Sequence, residues 1–274
     1  MYFHFEVEVK VLNQKEFLIL ENLSYSYTDR IKVLKDINLR IREKELIGII
    51  GPNGSGKTTL LKCVAGVLKN YEGSIKIYGK EINTFRRKEI AKIITFVSQN
   101  FSPAFDFTVK ELIHMGRIPY HTFFQNSSIG DQEIVEAAIL AMDLNGFENR
   151  RFNNLSEGEK RRVVFAKALA QDTTILLLDE PFAHLDINYS YETAKLIRMR
   201  VREFEKTIIG VFHNINMASL FCDRIIVMNN GKIIAEGDPE KVYREEIINE
   251  AFKTNCTIIS HPRIKKPQVL IDWK

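Results

Sequence analysis

A chain of 274 residues with 45% hydrophobic side chains has ample material for a buried core, as one large domain or as a domain carrying an inserted lobe. Its 39 Lys and Arg against 35 Asp and Glu leave a formal charge of +4 with no basic tract, which argues against a nucleic-acid partner. Cys63, Cys222 and Cys256 are far apart and form no CxxC pair, which excludes a zinc or dithiol motif and fits a reducing compartment. No apolar run approaches the roughly 18–20 residues that cross a bilayer. Met1 to Lys10 alternate charged and apolar residues, so no signal-peptide core is expected there.

Short runs rich in Ile and Leu predict strands at Phe17–Leu20, Ile37–Ile41, Glu45–Ile50 and Ser74–Tyr78. Between them, Asn53–Leu68 places Leu60, Leu61, Val64 and Leu68 at helical spacing directly after a glycine-rich turn. A further strand is expected at Ile93–Ser98. Helical patterns at Val109–Met115 and Asp131–Met142 flank a loop at Pro119–Gly130, and together read as an inserted helical lobe. Ser156–Ala170 predicts another helix, and the apolar Thr174–Leu178 predicts a central parallel strand covered on both faces. A charged amphipathic helix at Tyr191–Phe204, a strand at Thr207–Phe212 and a hairpin from Arg224 to Ala235 around Asn230-Gly231 complete the series. Strands and helices alternate, as in an α/β fold, with no repeat at a fixed period.

Gly51-Pro52-Asn53-Gly54-Ser55-Gly56-Lys57-Thr58 fits G-x-x-x-x-G-K-[ST] between an expected strand and an expected helix, so these residues and the adjacent Thr59 are candidate nucleotide-binding residues. Glycines let successive backbone N–H groups turn toward phosphate oxygens, and the helix N-terminus adds partial positive charge. Lys57 would neutralise the β- and γ-phosphates, and Thr58 would offer a hydroxyl to Mg²⁺. The loop alone implies only a nucleoside triphosphate, since GTPases, kinases and motor ATPases share it.

Asp179 and Glu180 end the strand Ile175–Leu178, where open parallel sheets place ligands. Asp179 would hold Mg²⁺ through water, and Glu180 would orient and polarise the attacking water. His213 follows the strand Thr207–Phe212 and would project from the same edge, near the γ-phosphate. The other histidines, His4, His114, His121, His184 and His261, receive a structural reading.

Leu155-Ser156-Glu157-Gly158-Glu159 resembles the LSGGQ signature of ABC ATPases, and Ser156 with Glu159 also forms an S-x-x-E capping box. The resemblance runs along nearly the whole chain from Phe17. It implies a phosphate-loop core with an antiparallel β subdomain (17–99 and 158–250), an inserted α-helical subdomain (100–157) and a C-terminal tail (251–274). Tyr27 matches the aromatic that stacks on adenine, Gln99 the lid glutamine that senses Mg²⁺, and Ala183-His184-Leu185-Asp186 the loop that crosses between subunits. His213 matches the switch histidine. The resemblance further implies ATP hydrolysis with Mg²⁺ in a head-to-tail homodimer, where Ser156, Gly158 and Asp186 of one subunit face the nucleotide of the other. Glu157 and Glu159 replace the commoner Gly and Gln; Glu157 is expected to point outward, away from the incoming γ-phosphate.

Thr108-Val109, Gly116-Arg117-Ile118-Pro119-Tyr120, His213-Asn214-Ile215-Asn216, His261-Pro262 and Lys266-Pro267 are similar to the importers of iron siderophores, haem and cobalamin. That likeness implies two integral membrane permease subunits, a substrate-binding protein and a peripheral position on the cytoplasmic face of the cell membrane. Phe101, Phe105 and Phe107 beside the lid loop are expected to meet the permease. The rival readings are a soluble ABC ATPase of DNA repair or cofactor assembly, which coiled coils, tandem domains or basic surfaces would mark, and a non-hydrolysing module, which would lack Glu180 or His213.

Overall fold

The computed structural model describes residues 16–28, 31–99, 101–121, 129–183 and 185–272. In chain order the elements are β1 (Glu16–Ser26), β2 (Lys32–Arg42), β3 (Leu46–Ile50), α1 (Lys57–Val64), β4 (Glu72–Ile77), β5 (Lys80–Glu81), α2 (Arg87–Ile90) and β6 (Ile94–Val97). Then come α3 (Val109–His114), α4 (Ile129–Ala141), α5 (Glu157–Ala170), β7 (Ile175–Asp179), α6 (Ile187–Glu203), β8 (Thr207–Val211) and α7 (Ile215–Phe221). The last are β9 (Arg224–Asn229), β10 (Lys232–Gly237), α8 (Pro239–Val242), α9 (Glu245–Phe252), β11 (Cys256–Ser260) and β12 (Pro267–Ile271).

A six-stranded sheet runs β10-β9-β3-β8-β7-β6, parallel except for the antiparallel edge strand β10. Its middle strands are buried on both faces, and their side chains alternate between two cores. Leu46, Ile50, Leu176 and Leu178 point to the core built from α3 to α7; Ile47, Ile49, Ile175 and Leu177 point to the core shared with α1 and a second, antiparallel sheet. That second sheet has the order β2-β1-β4-β5. Hydrophobic runs without alternation are therefore what this sheet requires.

Several boundaries differ from the sequence expectation, each for a local reason. Asn22, at φ 50°, shifts the register of β1, so the strand continues to Ser26 after its alternation is lost. The helix expected from Asn53 begins only at Lys57, because Gly54 and Gly56 take φ of 78° and 100°. Asp186 starts α6 four residues before Tyr191 by accepting a hydrogen bond from the Tyr189 N–H at 2.9 Å. The expected hairpin turn does place Asn230 and Gly231 at φ 49° and 81°. The segment expected as a tail instead folds as the β11–β12 hairpin, and Asn216 of α7 fastens it, donating to the Val269 carbonyl at 3.1 Å and accepting its N–H at 2.7 Å. Of the loop expected at Pro119–Gly130, residues 122–128 lie outside the described residues, and residue 129 already opens α4.

A short 3₁₀ stretch, Met115–Tyr120, follows α3 and packs against the end of α5. The buried Arg117 donates to Asp131 of α4 at 2.8 Å and to the Ala170 carbonyl at 2.8 Å, with its guanidinium 3.9 Å from the Tyr120 ring. Gly116 is required by contact rather than by turn geometry, since a Cβ there would lie 2.5 Å from the Lys167 carbonyl oxygen. Gly116→Ala is accordingly expected to destabilise the fold by about 1–3 kcal/mol through overpacking. An unchanged thermal melting midpoint would count against this contact.

Candidate functional site

Four loops converge at the C-terminal edge of the large sheet, following β3, β8, β7 and β6, which are neighbours in the sheet. The loop after β3 begins with Gly51 at φ 148°, where a Cβ would lie 2.0 Å from the Met228 carbonyl oxygen, so no larger residue fits. Lys57 is buried and folds its ammonium back onto the Gly51 and Pro52 carbonyls, both at 2.9 Å. Burial lowers the pKa of this amine, and the nearby charges of Glu180 and Asp179 oppose the shift. The Ser55 hydroxyl, inside the same loop, is buried with no hydrogen-bond partner. A loop holding an orphan hydroxyl and a lysine parked on main-chain carbonyls fits an anion whose oxygens would take over those contacts.

Thr58 opens α1 beside Lys57, and its hydroxyl donates to Asp179 at 2.9 Å across 121 residues of sequence. Burial raises the pKa of Asp179, the Thr58 hydrogen bond lowers it, and the Glu180 charge raises it again. Two hard oxygen donors at this separation fit a cation such as Mg²⁺, which keeps waters and shares substrate phosphates. Among the described residues no group of three or more His, Cys, Asp or Glu is placed to hold a metal.

Glu180 follows β7 with φ of 51°, its N–H bonded to the Val211 carbonyl at 3.2 Å. That left-handed turn aims the carboxylate at the loops on either side. Its Oε2 accepts from the Gln99 side-chain amide at 2.6 Å, and its Oε1 contacts Nε2 of His213. Gln99 stands two residues beyond β6 and His213 two residues beyond β8, so three adjacent strands meet on one carboxylate.

The structure thus brings Gly51 to Thr59, Gln99, Asp179, Glu180 and His213 to one edge. Tyr27 lies beside them, 56% exposed, sharing a 3.2 Å hydrogen bond between its hydroxyl and that of Thr59. Its exposed ring is available for stacking. Ser156, Gly158 and Asp186 stand apart, at helix starts. Ser156 caps α5, accepting from the Glu159 N–H at 3.3 Å while the Glu159 carboxylate accepts from the Ser156 N–H at 2.7 Å. That backbone bond holds the Glu159 carboxyl below the usual carboxylate range. The Glu157 side chain is 65% exposed and paired with Lys160 at 2.8 Å. Gly158 abuts the Tyr189 ring of α6, which would lie 3.2 Å from a Cβ there.

His184, in the expected crossing loop, and His4 lie outside the described residues. His121 contacts Asp131 at 3.0 Å, and His261 accepts backbone N–H bonds within its own turn, both structural uses. Of the three phenylalanines after Gln99, Phe101 packs edge-on against Phe152 and Phe107 is half-buried, whereas Phe105 is 72% exposed. Sequence reasoning passed over Arg161, whose guanidinium donates to the Gln99 carbonyl at 2.7 Å. The signal was available: Arg161 sits one turn before Phe165 on the buried side of α5.

The ABC transporter family model matches residues 34–183 of this chain. The chain is 40% identical over 228 residues to the petrobactin import ATP-binding protein FpuC of Bacillus anthracis, covering 83% of this chain and 84% of that protein. It is 33% identical over 249 residues to the hemin import ATP-binding protein HmuV of Thermobifida fusca, covering 91% and 86% respectively. Among solved structures, the ATP-binding cassette MJ0796, dimeric and bound to ADP and Pi, superposes with a TM-score of 0.68 at 30% identity over 81% of this chain and 98% of that one. Among the described residues no helix is long and apolar enough to cross a membrane. An anion loop, a hydroxyl–carboxylate pair and a doubly held glutamate at one sheet edge agree with these likenesses, and the chain belongs to the ABC transporter family as an ATP-binding, ATP-hydrolysing subunit.

Proposed function

We propose that this chain powers the uptake of an iron siderophore, haem or cobalamin, working as a homodimer on two membrane permease subunits at the cytoplasmic face of the membrane. The observation that carries the reading is the joint presence of this nucleotide edge and 40% identity over 228 residues to a petrobactin import ATP-binding protein. A binding protein would deliver the substrate to the permease, and the exposed Phe105 is available for permease contact.

In this reading the ATP phosphates displace the Gly51 and Pro52 carbonyls from Lys57, while the N–H groups of residues 54–58 surround them. Thr58, and Asp179 through water, would hold Mg²⁺, which would neutralise charge on the transferring phosphoryl group. Tyr27 stacks on the base. Glu180 orients the attacking water and accepts its proton once the Gln99 amide leaves Oε2, and His213 steadies the other carboxylate oxygen. Ser156, Gly158 and Asp186 face the nucleotide of the partner subunit, so each chain supplies two half-sites. Closure on ATP and reopening after hydrolysis bias the permease between its states.

The test is reconstitution in proteoliposomes with a candidate permease and binding protein. ATP-dependent accumulation of a ferric siderophore, haemin or cobalamin is expected. Uptake of an oxyanion such as molybdate, with none of those three carried, would remove the substrate assignment and leave the ATPase intact.

A further inference from the structure

Both oxygens of Glu180 are engaged, Oε2 by the Gln99 amide at 2.6 Å and Oε1 by His213. The Gln99 amide thereby occupies one of the Oε2 lone-pair positions that an incoming water would use, and competes with it there. The Gln99 side chain springs from a backbone held at its own carbonyl, which accepts from Nη2 of Arg161 at 2.7 Å. Arg161 is 8% exposed, near the start of α5 and five residues after the capping Ser156. Burial lowers its pKa, and the charge of Glu157, one turn earlier, opposes part of that shift.

These contacts form a continuous line within one subunit: the start of α5, Arg161, the Gln99 backbone, the Gln99 amide and the Glu180 carboxylate. We infer that Arg161 is a positioning residue that keeps Gln99 on Glu180, so that hydrolysis stays slow while α5 holds its present place. The inference rests on the ATPase reading of Glu180 and goes beyond it by naming what restrains that residue. A charge-assisted bond to a main-chain carbonyl suits this role, because it fixes the origin of the glutamine side chain without competing for the glutamate. Any shift of α5 would stretch the Arg161–Gln99 bond and free the amide.

The test uses the full chain and steady-state ATP hydrolysis. Arg161→Met fills a similar volume without a donor. It is expected to raise kcat about three- to tenfold at saturating ATP, with KM within about twofold of wild type. Arg161→Lys, whose ammonium can donate to the same carbonyl, is expected to bring kcat back to within about twofold of wild type. A residue that merely supports the fold would lower activity and melting temperature together and would never accelerate turnover. A kcat at or below wild type in Arg161→Met overturns the inference. If that variant melts too low to assay, Arg161→Gln, whose amide stops short of the guanidinium's reach, is expected to show the same acceleration, and a kcat at or below wild type there overturns the inference equally. A wild-type chain that hydrolyses ATP beside unaccelerated variants sinks the restraint alone; a wild-type chain without ATPase activity sinks the reading of Glu180 and the restraint with it.

Discussion

Glu180→Gln is expected to slow ATP hydrolysis by about 10²- to 10⁴-fold, the range for loss of a positioned general base, while ATP binding persists. The substitution keeps shape and volume, so the left-handed backbone at φ 51° and its bond to the Val211 carbonyl are undisturbed. What disappears is the charge and the capacity to accept a proton from water. Nothing in the phosphate loop depends on that charge for geometry, because Lys57 is satisfied by the Gly51 and Pro52 carbonyls. The variant should therefore bind ATP normally and accumulate an ATP-bound dimer, visible as a shift in gel filtration that wild type shows only transiently. Wild-type phosphate release by Glu180→Gln would overturn the role assigned to this residue.

Lys57→Ala is expected to fail at the earlier step. The amine is buried and faces the interior of the loop, where it would meet phosphate oxygens in a site of low dielectric. Loss of one charged hydrogen-bond donor there weakens ATP binding roughly tenfold to a hundredfold. A further loss in kcat, to about 10²–10³ below wild type, follows because the same donor stabilises charge as it develops in transfer. Titration of a fluorescent ATP analogue and a phosphate-release assay separate the two effects. Equal affinity in Lys57→Ala and wild type would show that the amine stays on the main-chain carbonyls when nucleotide is bound. The two variants thus differ in kind: Glu180→Gln binds and stalls, whereas Lys57→Ala binds poorly.

Much of this site is legible in short stretches of sequence. Gly51 to Thr58 carries its own turn chemistry, and Ser156 with Glu159 writes its capping box within four residues. The apolar run at β7 announces a covered strand, and the acids that close it announce the edge where ligands gather. Other features were hidden for identifiable reasons. The bulge at Asn22 masks half of β1, and the C-terminal hairpin, which buries only Cys256, Pro267 and Val269 fully, is fastened by Asn216 and Ser219 of α7, a distant segment. The phenylalanines after Gln99 look alike in sequence, yet Phe101 and Phe107 pack inward and Phe105 does not.

By itself, then, the sequence determined the phosphate loop, the covered parallel strands, the cap of α5 and the residue types available for chemistry, because each depends on turn preference or periodicity over a few neighbours. Only the tertiary structure decided the pairings. Thr58 meets Asp179 across 121 residues, Gln99 meets Glu180 across 81, and Arg161 reaches Gln99 across 62. Each of these follows from the strand order β3-β8-β7-β6 and from the placement of α5 against β6. Sheet order is settled by packing among distant segments, and no local pattern encodes which loop will face which.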